Sequence, residues 1–218
     1  MTRPAEGSVI TAQFQSEGRG QRGTVWSSER GANLLMSLIL YPTWLKMQNQ
    51  FDLSQCIAVG LAEAIEEILQ AVVKIKWPND LLINDRKLAG TLIELQSDSK
   101  GLLSAVIGIG LNVNQTEFHG LSATSLMQQT GERMEPIQIA KICQQAILKR
   151  YDELKAGESQ KLKSTYFSKL YRYDIDAYYR LRGEEIKARI TGVDERGCIE
   201  LHSESGILKA DIKELEYL

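Results

Sequence analysis

From Asp52 the chain carries Leu53, Ile57, Leu61, Ile65, Ile68 and Leu69 at helical spacing, and Gln55 stands three residues after Asp52 as in a capping box. A helix with one apolar stripe must lie on something apolar, and the flanking segments supply it as strands. Ahead of it, Ser8 to Phe14 alternates small, β-branched and polar residues, and Gly31 to Tyr41 contains the apolar run Leu34-Leu35-Met36 to Leu40 of a buried strand. Behind it, Val72 to Trp77, Leu81 to Ile83 and Lys87 to Leu95 read as strands, with Asn84-Asp85 supplying positive φ for a tight turn. Leu102 to Val113 is a further apolar strand, punctuated by Gly108 and Gly110, where glycine marks close approach of a ligand or another backbone. Pro136 opens a second helix with Ile139, Ile142, Cys143, Ala146, Ile147 and Leu154 on one face and Gly157 near its end. The expectation is an α+β fold, a mixed sheet flanked by helices.

Beyond Leu170 the texture changes. Short alternating segments at Ala177 to Leu181, Glu185 to Val193, Cys198 to His202 and Gly206 to Ile212 are separated by Arg182-Gly183, Glu195-Arg196-Gly197 and Ser205-Gly206. This spacing predicts a small C-terminal β-barrel. Two domains are therefore expected, residues 1–170 and residues 171–218.

The formal net charge of −2 provides no broad basic field for nucleic acid or an anionic membrane, so any anion must be bound locally. Cys56, Cys143 and Cys198 are odd in number and far apart, which speaks against a disulfide framework or a zinc site. No apolar run reaches the ~20 residues of a membrane span, and Met1 to Gly7 lacks the features of a secretory signal. The expected location is cytoplasmic.

Gly18-Arg19-Gly20-Gln21-Arg22-Gly23 fits the dinucleotide glycine pattern literally and follows a strand, but Thr24 to Gly31 has no helical apolar stripe, so the Rossmann context fails. The P-loop reading fails because Thr24, not lysine, follows Gly23. What is left is a glycine-rich loop whose Arg19 and Arg22 suit phosphate or carboxylate oxygens, with Trp26 as a flat stacking surface. On the loop alone, a solvated turn with two surface arginines is an equal reading. The loop is expected to be disordered without ligand and to close on binding.

Lys76-Trp77-Pro78-Asn79-Asp80 and Arg86-Lys87-Leu88-Ala89-Gly90 lie on neighbouring strands of one inferred hairpin, so Lys76 and Lys87 can converge on a single anion. Burying an unpaired ammonium is costly, and an anionic ligand offsets that cost. The competing reading is an exposed edge whose lysines discourage aggregation. Ala89 and Gly90 leave room for a ligand, and Asp80 is a weak candidate for Mg²⁺ held through phosphates.

Together, Gly18 to Gly23, Lys76 to Asp80, Arg86 to Gly90 and Gly108-Ile109-Gly110-Leu111-Asn112-Val113-Asn114 resemble the biotin–protein ligase family, in family order. The resemblance is strong over Ser8 to Asn114 and covers the C-terminal barrel in outline. It implies a fold like that of class II aminoacyl-tRNA synthetases and biotin–lipoate ligases with an SH3-like C-terminal domain. It further implies ATP and biotin as substrates, Mg²⁺, and a biotin carboxyl carrier domain of a carboxylase as acceptor. By the same resemblance, Arg19 and Lys87 are the catalytic side chains and Gln15 lines the biotin pocket. Gly18, Gly20, Gln21, Arg22 and Gly23 fold over the acyl-adenylate, and Trp26 packs near the adenine. Lys76, Trp77, Asn79, Asp80 and Gly90 are pocket and phosphate-side residues, and Gly110 and Asn112 adjoin the nucleotide.

The chemistry suits these residue types on its own terms. A carboxylate attacking a phosphate ester brings two anions together, which calls for fixed cations rather than a covalent nucleophile. One departure stands out: family members carry a Ser-Thr-Asn element well upstream of the loop, and seventeen residues precede Gly18 here. The expectation is accordingly the monofunctional type, without a DNA-binding domain and without nucleic-acid or membrane partners. A homodimer through a sheet edge is compatible with the pattern. Three alternatives stand beside this reading: a lipoate–protein ligase, a ligand-binding remnant without turnover, and, least favoured, an RNA-binding module.

Overall fold

The computed structural model describes residues 3–99 and 101–218, without the side chain of Arg22. A six-stranded sheet is built from β1 (Val9–Ala12), β2 (Leu34–Leu40), β3 (Lys74–Lys76), β4 (Asp80–Ile83), β5 (Arg86–Asp98) and β6 (Gly101–Leu111), in the order β1-β2-β6-β5-β4-β3. Every pairing between these strands is antiparallel, so the mixed sheet expected from sequence is corrected. Parallel contacts are confined to isolated bridges such as Ile75 with Leu170 and Lys87 with Ala123. The reason lies in the connections: β3 to β6 follow one another through short turns, which favour antiparallel neighbours. Asn84 and Asp85 adopt φ of 48° and 60°, the positive-φ pair expected of the β4–β5 turn.

Helices α1 (Gln50–Leu69) and α3 (Pro136–Lys155) pack on each other and against one face of this sheet. Gly60 sits at their crossing, where a Cβ would lie 2.7 Å from the Ile147 Cα. The capping box is not formed: α1 begins at Gln50 behind Asn49, and no side chain caps it. Asp52 instead lies buried in the first turn, 3.3 Å from Lys163 Nζ. A missing cap costs roughly 1 kcal/mol. Leu53, Ile57, Leu61 and Ile65 are all fully buried and each contributes about 1.5–3 kcal/mol, so burial decides the helix. Two short helices, α2 (Leu126–Thr130) and α4 (Ser159–Lys169), were not foreseen; Lys163 is on α4 and joins it to α1.

The C-terminal sheet contains β7 (Asp176–Leu181), β8 (Glu184–Val193), β9 (Ile199–Ser203), β10 (Gly206–Ala210) and β11 (Leu215–Tyr217), in the order β10-β9-β8-β7-β11. All its pairings are antiparallel. Among the described residues no pairing joins β10 to β11, so the expected barrel is not closed by hydrogen bonds. The two sheets meet at β3. Tyr171 N–H donates to the Ile75 carbonyl at 2.8 Å, and the buried Trp77 donates its indole N–H to the Gly197 carbonyl at 3.0 Å. Among the described residues no helix is long and apolar enough to cross a membrane.

Candidate active site

In β6, Ala105, Ile107, Ile109 and Leu111 are buried toward the helices, so Val106, Gly108 and Gly110 face the other way. Register extends this second face across the sheet. Leu35, Gly110, Gly90, Asp80 and Lys76 are successive cross-strand partners, forming one row from β2 to β3. Ser37, Gly108 and Leu92 form the next row, and Ile39, Val106 and Glu94 the one after. With two glycines at its centre the floor is open, and a cavity of about 850 Å³ lies over it.

The glycine-rich loop roofs the cavity. It is folded as a hairpin: Gly20 N–H donates to Thr24 O at 2.7 Å, and Trp26 N–H donates to Gly18 O at 2.9 Å. The hairpin needs its glycines, since a Cβ at Gly18 would strike the Trp26 carbonyl oxygen and one at Gly20 the Thr24 side chain. The Trp26 indole lies on Gly110, where a Cβ would strike the ring, and its buried Nε1 finds no partner among the described residues.

Lys87 Nζ stands 2.6 Å from Asp80 Oδ1 and 5.5 Å from the centre of the Trp26 ring. Asn79 fixes the turn before Asp80: its side-chain amide donates to Thr91 O at 2.5 Å, and its carbonyl accepts from Thr91 N–H at 3.0 Å. Lys76 is half-buried, with Nζ 4.7 Å from the Tyr217 ring centre. Burial pulls its pKa below that of an ordinary lysine, and the nearby Asp80 carboxylate opposes the shift.

Gln15, Arg19, Gly20, Gln21, Trp26, Lys76, Trp77, Asn79, Asp80, Lys87, Gly90 and Gly110 all line the cavity, so most of the residues expected at the site are brought together. Three of the expected residues stand apart from it, Gly18, Gly23 and Asn112. Gly18 and Gly23 shape the hairpin without lining the cavity, and the side chain of Arg22 lies outside the described residues. Asn112 is buried as a brace: its side-chain amide donates to Thr124 O at 3.0 Å, and its N–H donates to Leu88 O at 2.9 Å. In this position it supports the segment behind Lys87 and does not itself line the cavity. Nor are Arg19 and Lys87 adjacent. Arg19 Nη2 pairs with Glu94 Oε1 at 3.4 Å, two rows along the floor, roughly 13 Å of strand from Gly90.

Sequence reasoning missed Glu94, Ser37, Tyr217 and the Leu121–Ala123 segment among the lining residues. Glu94 was within reach, because it follows Gly90 by two strand periods and so shares its face. Tyr217 sits in a strand of three residues that carries no signal of its own.

The model of the biotin/lipoate A/B protein ligase family matches residues 1–112, more than half of the chain. The chain belongs to this family. Over 217 residues it is 32% identical to the bifunctional ligase/repressor BirA of Bacillus subtilis, a match covering 97% of this chain and 66% of that protein. It is 25% identical over 205 residues to the biotin–[acetyl-CoA-carboxylase] ligase of Paracoccus denitrificans, covering 90% of this chain and 85% of the other. Among solved structures, the biotin protein ligase of Aquifex aeolicus in complex with biotin and ATP superimposes with a TM-score of 0.82 at 27% identity. That match covers 99% of this chain and 90% of the other.

Proposed function

We propose that the chain is an ATP-dependent biotin–protein ligase. A carboxylate oxygen of biotin attacks the α-phosphorus of ATP, a P–O bond forms and pyrophosphate leaves, giving biotinyl-5′-AMP. The deprotonated amine of an acceptor lysine then attacks the acyl carbon and AMP departs with the bonding electrons. The acceptor is the biotin carboxyl carrier domain of a carboxylase, and the location is cytoplasmic. The observation that carries the reading is Lys87, held by Asp80 and roofed by Trp26 above the Gly90–Gly110 floor.

Lys87 and Lys76 supply fixed positive charge where the carboxylate and phosphates meet. Arg19 reaches that end only if it leaves Glu94, so its catalytic role requires the loop to move when ligand binds. Gln15 and the Gly18–Gly23 hairpin enclose the ligand, which limits water attack on the mixed anhydride. Among the described residues no three His, Cys, Asp or Glu side chains cluster to hold a metal. With Asp80 Oδ1 engaged by Lys87, the donor set fits a Mg²⁺ carried chiefly by nucleotide phosphate oxygens, with Asp80 as at most one carboxylate ligand. The ion would neutralise phosphate charge when bound. On this reading residues 1–170 form the catalytic unit and residues 171–218 an SH3-like unit; the separate C-terminal sheet and its residues along the cavity support the division.

The test is pyrophosphate release from ATP, Mg²⁺ and biotin by the wild-type chain and by Lys87→Ala. Release that falls about 100-fold in the variant is expected, since losing a well-placed donor costs ~3 kcal/mol. Release with lipoate but not with biotin would overturn the choice of substrate, and binding without release would leave a remnant.

A further inference from the structure

The cavity is not enclosed by the six-stranded sheet and its loop alone: Leu215, Glu216 and Tyr217 of β11, with Ile212 and Lys213 just before it, form a further wall. Tyr217 is the member that touches a charged site residue, its ring centre lying 4.7 Å from Lys76 Nζ. Lys76 has reason to need it. Its cross-strand partner Asp80 pairs with Lys87 instead, and among the described residues Lys76 forms no ion pair. A half-buried ammonium with no ion pair of its own is poorly solvated, and the negative face of an aromatic ring compensates without neutralising it. The cation thus stays available to an incoming phosphate.

Tyr217 is itself firmly placed. It pairs with Tyr179 in the β11–β7 ladder, with ring centres 5.4 Å apart edge to face, and Tyr171 flanks it at 5.9 Å. Arg172 lies 6.0 Å from the same ring, which brings a second cation to it. The phenolic oxygen is buried and has no hydrogen-bond partner among the described residues, so the ring face and not the hydroxyl makes the useful contact.

We infer that Tyr217 is a positioning residue that holds the Lys76 ammonium at the phosphate end of the cavity, so that β11 completes the nucleotide site. This rests on the proposed ligase reading, because it takes the anion at Lys76 to be the ATP polyphosphate. Lys76 touches the nucleotide, and Tyr217 acts through Lys76.

The experiment uses the full chain and measures KM for ATP and for biotin in pyrophosphate release, with ATP binding by calorimetry in parallel. Tyr217→Phe keeps the face and is expected to stay within about twofold of wild type. Tyr217→Leu removes it and is expected to raise KM for ATP on the order of five- to tenfold, with KM for biotin unchanged, from the strength of a partly desolvated cation–π contact. In a Lys76→Met background, Tyr217→Leu is expected to add nothing further, because the partner is already gone. A graded series of fluorinated phenylalanines at 217 keeps the shape while weakening the ring face, and KM for ATP should climb along it. That series carries the test if the leucine variant does not fold.

Additive effects in the double variant, equal rises in both KM values, or a flat fluorination series would overturn the inference. If no pyrophosphate is released but ATP binds, calorimetry reads the same coupling, and a Tyr217 effect confined to ATP sustains the inference while the ligase reading fails. A wild-type chain that binds no ATP overturns both.

Discussion

Lys87 Nζ lies 2.6 Å from Asp80 Oδ1, across the pairing of β4 with β5 and directly beside Gly90. An internal carboxylate thus occupies the lysine before any substrate does, and an incoming anion must compete with it. Both side chains are partly solvated, so the pair itself is worth little, but its charge acts on whatever binds next. Asp80→Asn keeps an oxygen for Lys87 and removes the negative charge. The expected outcome is tighter ground-state binding of ATP, by about fivefold for ~1 kcal/mol of relieved repulsion, without a matching gain in turnover. Steady-state kinetics and calorimetry check it. Weaker ATP binding in this variant would mean that Asp80 contributes to the nucleotide site directly.

Gly110 and Gly108 share the floor but differ in what lies above them. A Cβ at Gly110 would strike the Trp26 ring, whereas one at Gly108 would make ordinary contact, 3.5 Å from Leu92 O. Gly110→Ala is therefore expected to lift the indole and weaken nucleotide binding by at least tenfold, with a red shift in tryptophan emission. Gly108→Ala should change affinity by less than threefold. Equal effects of the two alanines would show that the indole position is unimportant.

How much of this was legible in the sequence varied with the kind of signal. The apolar period of α1 and the alternation of β6 were readable directly, β6 because it buries one face against the helices, whereas α1 is buried on most of its surface by the sheet, α3 and α4. α4 was not, since Leu162 and Tyr166 are its only buried residues and its place is set by α1, including Lys163 against Asp52. The same pairing explains the failed capping box: Asp52 had a distant partner that no local pattern displays. At the site, the residues of the motifs converged on one cavity, yet Asn112 turned inward as a brace, and the wall from β11 depended on tertiary placement alone.

The environment of Lys76 implies a pH dependence of stability. Its folded pKa lies below the 10.5 of an ordinary lysine, chiefly through burial. Between the two values the unfolded chain binds more protons, so this group makes stability rise with pH through that window. Below the folded pKa the full cost of keeping the ammonium is present, and Lys76→Met removes it. The ligand-free variant is expected to melt a few degrees above wild type at pH 7, with the difference shrinking toward pH 10.5. ATP should stabilise the variant less than it stabilises wild type. Thermal melts across this range decide the matter, and a variant that melts lower at pH 7 would refute the expected cost.

The junction between the two sheets supplies the last prediction. Trp77 follows β3 directly, is only 2% exposed, and donates its indole N–H to the Gly197 carbonyl of the C-terminal unit. Gly197 has φ of +89°, and a Cβ there would lie 2.8 Å from Phe51 Cδ2 at the start of α1, so the backbone carrying that acceptor is tightly seated. Trp77→Phe removes the donor, strands the buried carbonyl and leaves space in the core, which together cost about 2–4 kcal/mol. Urea unfolding followed by far-ultraviolet circular dichroism is expected to show the unfolding free energy falling by that amount, with a lower midpoint, in a single transition, because the lost bond joins the two sheets. If the variant instead unfolds in two steps, the units hold themselves together separately and Trp77 serves only to align them. A midpoint unchanged from wild type would mean that the indole hydrogen bond contributes nothing to the junction.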